Sequence, residues 1–213
     1  MTPLPSEPGS VTLEPSADNT LFEDSSSFRS NGAGQHLFVG NTNRRNTRRA
    51  LLRFDVAGAV PPGATVTEVT LRMRMSRTRG GNETVTLHRV LADWGEGASD
   101  ASGAEGGGAG AAPGDATWVH RSFDTEVWET PGGDFEAEAS GSAEVGGTGH
   151  DTWQSPGGMV TDVQSWLDAP ETNFGWLLKG NENGRQTAKR FDSREHSTTG
   201  NRPLLTVDFT VPG

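Results

Sequence analysis

The strongest pattern along the chain has a period of two. Val69, Leu71, Met73 and Met75 alternate with Thr70, Arg72, Arg74 and Ser76, the arrangement of a strand with one face in a core and an Arg-bearing face in solvent. Leu52, Phe54 and Val56 repeat the pattern, as do Val85 and Leu87 among Thr84, Thr86 and His88. At the end of the chain Leu205, Val207, Phe209 and Val211 alternate with Thr206, Asp208 and Thr210. Turn-forming clusters at 59–63, 78–82 and 181–184 separate these runs, and short strands joined by polar turns predict an all-β sandwich or barrel. One segment departs from the pattern. Val163, Trp166 and Leu167 share a helical face, Thr161 stands where a cap would and Pro170 where a stop would, so one short helix is expected over 161–168. Two turns are too few to be stable alone, so this helix is expected to cover an open end or edge of the β core.

Between the periodic runs lie two loose stretches. Residues 95–115 hold eight Gly and six Ala and are expected to form a flexible insertion with nothing to pack; a second loose stretch is expected over 136–158. Neither flanking piece has enough strands for a core of its own, and the last strand, 203–211, most simply pairs back into the same sandwich. A single domain over 15–213 is therefore expected, preceded by an N-terminal extension over 1–14, with the two terminal strands adjacent. No internal repeat is present.

Composition narrows the chemistry. The 213 residues contain no Cys and no Tyr, which excludes disulfide frameworks, thiolate metal sites and Tyr or Cys catalysis. Sixteen Arg stand against two Lys, and Ile is absent, a bias expected of a GC-rich, bacterial genome. The net charge is −10, but residues 1–90 carry about +3 and residues 91–213 about −13, with Arg gathered at 44–49 and 72–79. With that overall charge and a pI near 4.9, the protein's own field opposes a polyanionic nucleic acid, so no nucleic-acid partner is expected. No apolar stretch approaches the length of a membrane span, so no membrane insertion is expected; with no signal peptide recognised at the start, either a cytosolic protein or a mature one whose export signal was trimmed is expected.

Several local patterns, in order, resemble the bacterial extracellular domains called DNRLRE domains and the related carbohydrate-binding modules attached to alginate lyases and other polysaccharide-degrading enzymes. They are Ala17-Asp18-Asn19-Thr20, Arg49-Ala50-Leu51-Leu52-Arg53-Phe54-Asp55, Ala92-Asp93-Trp94-Gly95-Glu96-Gly97, Gly114-Asp115-Ala116-Thr117-Trp118, Asn173-Phe174-Gly175-Trp176, Phe191-Asp192-Ser193-Arg194-Glu195 and Arg202-Pro203-Leu204-Leu205-Thr206-Val207. The resemblance spans roughly 15–210. It implies a jelly-roll β-sandwich, secreted or at the cell surface, without catalytic activity and found beside enzymes or surface anchors; a monomer is expected.

The strings of nucleotide enzymes, α/β-hydrolases and zinc proteases are absent. Carboxylates are plentiful enough for a glycosidase pair to lie among Asp93, Glu96, Asp115, Asp124, Glu126 and Asp134, yet spacing along a chain does not set the separation such a pair needs. Indole rings stack on the C–H faces of sugars; Trp166 and Trp176 fit a core, whereas Trp94, Trp118, Trp128 and Trp153 sit in polar, Gly-rich surroundings, the first three being expected to contact a polysaccharide. Arg44, Arg48 and Arg49 are expected beside them, holding carboxylate or sulfate groups. β-Sandwich modules of this type hold structural Ca2+ between their terminal segments, and Asp18, Asn19 and Asp208 are the expected oxygen donors. The alternative function is a structural or adhesive surface domain that binds no sugar.

Overall fold

The computed structural model describes residues 7–26 and 28–213. Its strands, in chain order, are β1 (Glu7–Leu13), β2 (Ala17–Phe22), β3 (Arg29–Ser30), β4 (His36–Asn41), β5 (Thr47–Arg53), β6 (Thr65–Thr78), β7 (Glu83–Arg89) and β8 (Ala109–Gly110). They continue as β9 (His120–Ser122), β10 (Glu126–Val127), β11 (Gly141–Val145), β12 (Gly149–Gln154), β13 (Trp176–Lys179), β14 (Lys189–Asp192) and β15 (Leu204–Val211). One helix, α1 (Gly158–Asp168), lies between β12 and β13.

All the named pairings are antiparallel. β6 is the spine of one layer: β15 pairs with Thr65–Arg72, β14 with Met75–Thr78, and β12 with Thr70–Met75. Because β12 overlaps both others, it must take the opposite edge of β6. β1 extends this layer beyond β15, and β4 extends it beyond β14. β5 is the spine of the other layer, flanked by β2 and β13, with β7 and β11 following. The β4–β5 hairpin and the turn between β11 and β12 pass from one layer to the other. The result is the expected all-β sandwich, built from one curled antiparallel sheet.

The alternation read from the sequence explains the core. Val69, Leu71, Met73 and Met75 of β6 are buried, and Thr70, Arg72, Arg74 and Ser76 are half-buried on the other face. A register shift at Asp208–Phe209 marks a bulge that resets the phase, so that Val66 also points inward. Trp153, Trp166 and Trp176 fill this core, the last two 4.7 Å apart edge to face. α1 contributes Met159, Val163, Trp166 and Leu167, closing one side of the sandwich as expected.

Four expectations about local structure need correction. The segment 1–14 is not all extension: β1 pairs residue for residue with β15, and Val11 and Leu13 pack against the core. The helix begins at Gly158 rather than after Thr161, and no side chain caps it. The stretch 136–158 contains the strands β11 and β12, whose small and polar residues leave only Val145 and Trp153 fully buried. Residues 95–115 are irregular, but they do pack: Ser99, Ala101, Glu105 and Asp115 are buried. Gly97, at φ +75°, lies so close to the Asp115 carboxylate that a Cβ would collide with it.

A second apolar cluster lies on the outer face of the β2–β5–β13 layer. Leu21, Leu51 and Leu177 point away from the main core and are covered by Val90, Trp94, Ala116 and Trp128. The long irregular connection after β7 is thus a lid over one face of the sandwich.

Candidate functional site

The tryptophans expected to touch a sugar belong to that lid. Trp94 and Trp128 are each 3% exposed, and their indole N–H groups donate to the carbonyls of Phe174 (2.8 Å) and Thr117 (3.0 Å). With both ring faces packed and the N–H satisfied, neither can serve as a stacking platform in this arrangement. Trp118 is half-buried, with the Arg49 guanidinium 4.9 Å from its ring centre; the same guanidinium lies 5.2 Å from Phe135. Trp153 is in the main core, donating to the Val85 carbonyl at 2.8 Å. Phe28, 51% exposed, is the aromatic ring left open, beside His120 and Phe123.

The arginines do not form one patch either. Arg48 and Arg49 are neighbours on β5, so their side chains leave on opposite faces. Arg49 joins the lid: it makes a two-pronged contact with Glu182 (2.7 and 2.9 Å) and donates to the Gly132 carbonyl at 2.8 Å. Arg48 is only 6% exposed, lies over the Phe22 ring at 4.8 Å, and donates through Nη1 to the carbonyls of Glu23 and Thr47. Its Nε is buried without an acceptor. Burial brings its pKa down to about 10 against the pull of Asp24 and Glu23, which leaves it charged at neutral pH. Arg44 is exposed in the β4–β5 turn.

Arg48 instead lines a cavity of about 300 Å³ where β4, β6 and β14 meet. Arg77, Arg79, Lys189 and Arg190 also line it, Phe38 contributes an apolar ring, and the turn residues Thr42 and Asn43 place Arg44 beside it. No carboxylate is among the lining residues. Pairing brings Arg190 opposite Arg77 and Phe38, whereas its β14 neighbour Lys189, opposite Thr78 and Val39, turns its side chain toward the other face of the strand. Lys189 is fully buried, donating to Thr78 Oγ1 at 2.9 Å and to the Gly81 carbonyl. Burial lowers the pKa of both Lys189 and Arg190; Arg77 and Arg74 lower that of Arg190 further, while Asp192 and Glu105 oppose the shift, as Glu83 and Asp151 do for Lys189. A cluster of partly desolvated cations of this kind gains from an anion that neutralises it.

The expected calcium donors are dispersed. Asn19 is spent on the fold: its Oδ1 accepts from Thr20, Ser30 and Asn31, and its Nδ2 donates to Ser30 and the Glu96 carbonyl. Asp208 sits on β15 between Ser10 and Glu68, in the other layer from Asp18 on β2. Asp18 is gathered instead with Glu96 and Glu195. Arg194 Nε lies 3.0 Å from an oxygen of each glutamate, while Asp18 Oδ1 and Glu195 Oε2 are buried without a donor. Burial, and then Glu195, pushes the Asp18 carboxyl well above its ordinary range.

The remaining carboxylates act as fasteners. Asp115 and Asp134 accept backbone N–H groups of their own loops, while Asp93 and Glu126 pair with Arg53 and Arg121. A second, larger hollow at the start of α1 contains Asp162 and Glu136. Asp162 Oδ2 accepts from Ser140 and from Trp176 Nε1 (2.7 Å), so this buried carboxylate serves to anchor a core tryptophan.

Residues 9–99 match carbohydrate-binding module family 96. The matched span runs from β1 through β7 into the lid and includes Phe38, Arg48, Arg77 and Arg79; Lys189 and Arg190 lie outside it. No curated protein matches the chain. No helix among the described residues is long and apolar enough to cross a membrane.

Proposed function

We propose that this chain is a non-catalytic carbohydrate-binding module of a secreted or cell-surface bacterial protein, and that it takes an acidic polysaccharide in the cavity between β4, β6 and β14. The match to a carbohydrate-binding family supports the ligand class. The observation that carries the acidic preference is the lining itself: Arg48, Arg77, Arg79, Lys189 and Arg190 converge without a carboxylate. One of them, Arg48, keeps a buried N–H with no acceptor. A uronate carboxylate or a sulfate supplies the missing acceptors through charge-assisted bonds, and Phe38 offers an apolar surface to the ring. A polysaccharide array spotted with alginate, pectate, xylan and cellulose tests the reading. Retention on alginate or pectate that weakens as NaCl is raised is expected; retention on neutral glycans alone contradicts the acidic preference. Binding to none favours the structural or adhesive alternative.

The structural calcium is carried forward as a proposal on Asp18, Glu96 and Glu195 in place of Asn19 and Asp208. Calcium takes oxygen ligands from several carboxylates at once, and the two donorless oxygens, Asp18 Oδ1 and Glu195 Oε2, are what a cation would satisfy. Added Ca2+ should raise the melting temperature and EGTA should reverse the rise. A melting temperature indifferent to both would remove calcium from the account.

A further inference from the structure

On the outer face of the same layer, next to the basic cavity, His36, Asp192 and His196 meet. Their ligating atoms all lie within 4.8 Å of one another. His36 Nε2 is 3.7 Å from Asp192 Oδ1, and His196 Nε2 is 3.7 Å from Asp192 Oδ2. These contacts are too long for hydrogen bonds. They are close to the ~3.3 Å that separates two ligands of a tetrahedral metal with bonds of about 2.0–2.1 Å. The imidazoles face each other edge to face at 5.7 Å between centres.

The surroundings match what holds metal-ligating histidines. The carboxylate of Glu105 lies 3.2 Å from His36 Nδ1, and the Thr198 carbonyl lies 3.4 Å from His196 Nδ1. An oxygen thus faces each ring nitrogen remote from the cluster, although His36 Nδ1 makes no hydrogen bond to it; a proton held on Nδ1 would leave Nε2 free as a ligand. The Thr198 N–H, 3.1 Å from the same His196 nitrogen, marks the alternative tautomer that metal binding would replace. Glu105 comes from the lid at 95–115, where it holds a left-handed φ of 61° without being glycine. It is fixed there by bonds from Asn31 Nδ2 and the His36 N–H. A second observation is independent of these distances: Asp192, 1% exposed, receives Arg74 on Oδ2 at 3.1 Å, but its Oδ1 is buried with no donor.

We propose that His36, Asp192 and His196 form a binding site for a borderline transition-metal ion of the Zn2+ class. Two imidazoles and one carboxylate suit Zn2+ and its first-row neighbours rather than Ca2+ or Mg2+, which prefer all-oxygen shells. Both histidine side chains retain some exposure, 13% and 16%, so the remaining coordination position opens to water. Arg74 and Arg190 offset the charge of Asp192 and Glu105, so the ion's affinity must come from the ligand geometry rather than from surplus negative charge.

The test is titration of the full chain, stripped with EDTA and dialysed, with ZnCl2 followed by calorimetry, and with CoCl2 followed by visible absorption. One ion per chain is expected, together with the intense visible bands of four-coordinate Co2+ and a higher melting temperature in Zn2+ but not in Mg2+. His196→Ala lies in the loop after β14, so it should leave the fold intact while abolishing both the one-to-one stoichiometry and the cobalt bands. His150→Ala, an exposed histidine outside the cluster, should change neither. Absence of Zn2+ binding by the unaltered chain overturns the proposal. So does one-to-one binding that survives both His196→Ala and His36→Ala.

Discussion

The two outer faces of the sandwich have been treated in opposite ways. Over β2, β5 and β13 the chain folds its own 91–135 connection back as a lid, burying Leu21, Leu51 and Leu177 under Trp94 and Trp128 and stacking Trp118 on Arg49. Over β4, β6 and β14 the lid contributes only its Ala104–Gly106 stretch, and the face keeps an open cavity lined by Arg and Lys. Aromatic residues in Gly-rich surroundings are thus a covering, and the face that retains room for a ligand is the charged one. What separates them is the fate of the polar groups. The two buried indole N–H groups of the lid, on Trp94 and Trp128, have carbonyl partners, whereas Arg48 Nε on the open face has none.

Breaking the lid should give the largest effect. Trp128→Ala removes a fully packed ring from the satellite core and is expected to cost ~3–5 kcal/mol, read as a melting temperature lower by roughly 10 °C. A variant that melts like the parent would mean that this face does not depend on its covering. Next in size is Arg48→Ala with Arg49→Ala. Both residues tie the fold together: Arg49 holds Glu182, the Gly132 carbonyl and two rings, while Arg48 ties two carbonyls at the end of β5. Charged hydrogen bonds of this kind contribute about 1.5–3 kcal/mol each, so a clear drop in denaturation midpoint is expected. An unchanged midpoint would return both residues to the surface. Smallest of all, Arg44→Ala in the exposed turn should shift stability negligibly and ligand affinity by less than about 1 kcal/mol; a larger loss in a binding titration would move the centre of the site toward the turn.

The sequence disclosed the layers better than the faces. The alternation in β6, β7 and β15 and the face of α1 are visible because a buried side of large apolar residues repeats at a fixed period. β11 and β12 escape that reading because every position but Val145 and Trp153 is small or polar. The second core escapes it because the residues that cover Leu21, Leu51 and Leu177, namely Val90, Trp94, Ala116 and Trp128, come from an irregular connection without a fixed period. The cavity is hidden for a related reason. Arg48 was visible as part of an Arg-rich run, but Lys189 and Arg190 are some 140 positions away, and only the pairing of β14 with both β4 and β6 brings them to it. A signal was available: β14 reads Lys-Arg-Phe-Asp, a strand that spends two cations around one core residue. An even longer stretch of sequence separates His36 from Asp192 and His196.

Affinity for alginate, with and without the cations at the open rim of the cavity, tests the central claim most directly. Arg77 is exposed and Arg190 half-buried, so Arg77→Ala with Arg190→Ala should leave the melting temperature near that of the parent. Loss of two charge-assisted contacts should weaken binding about tenfold or more at low salt, and should flatten its dependence on NaCl. Parent and variant binding alginate equally, with the same salt dependence, would contradict the account and place the ligand elsewhere on the sandwich.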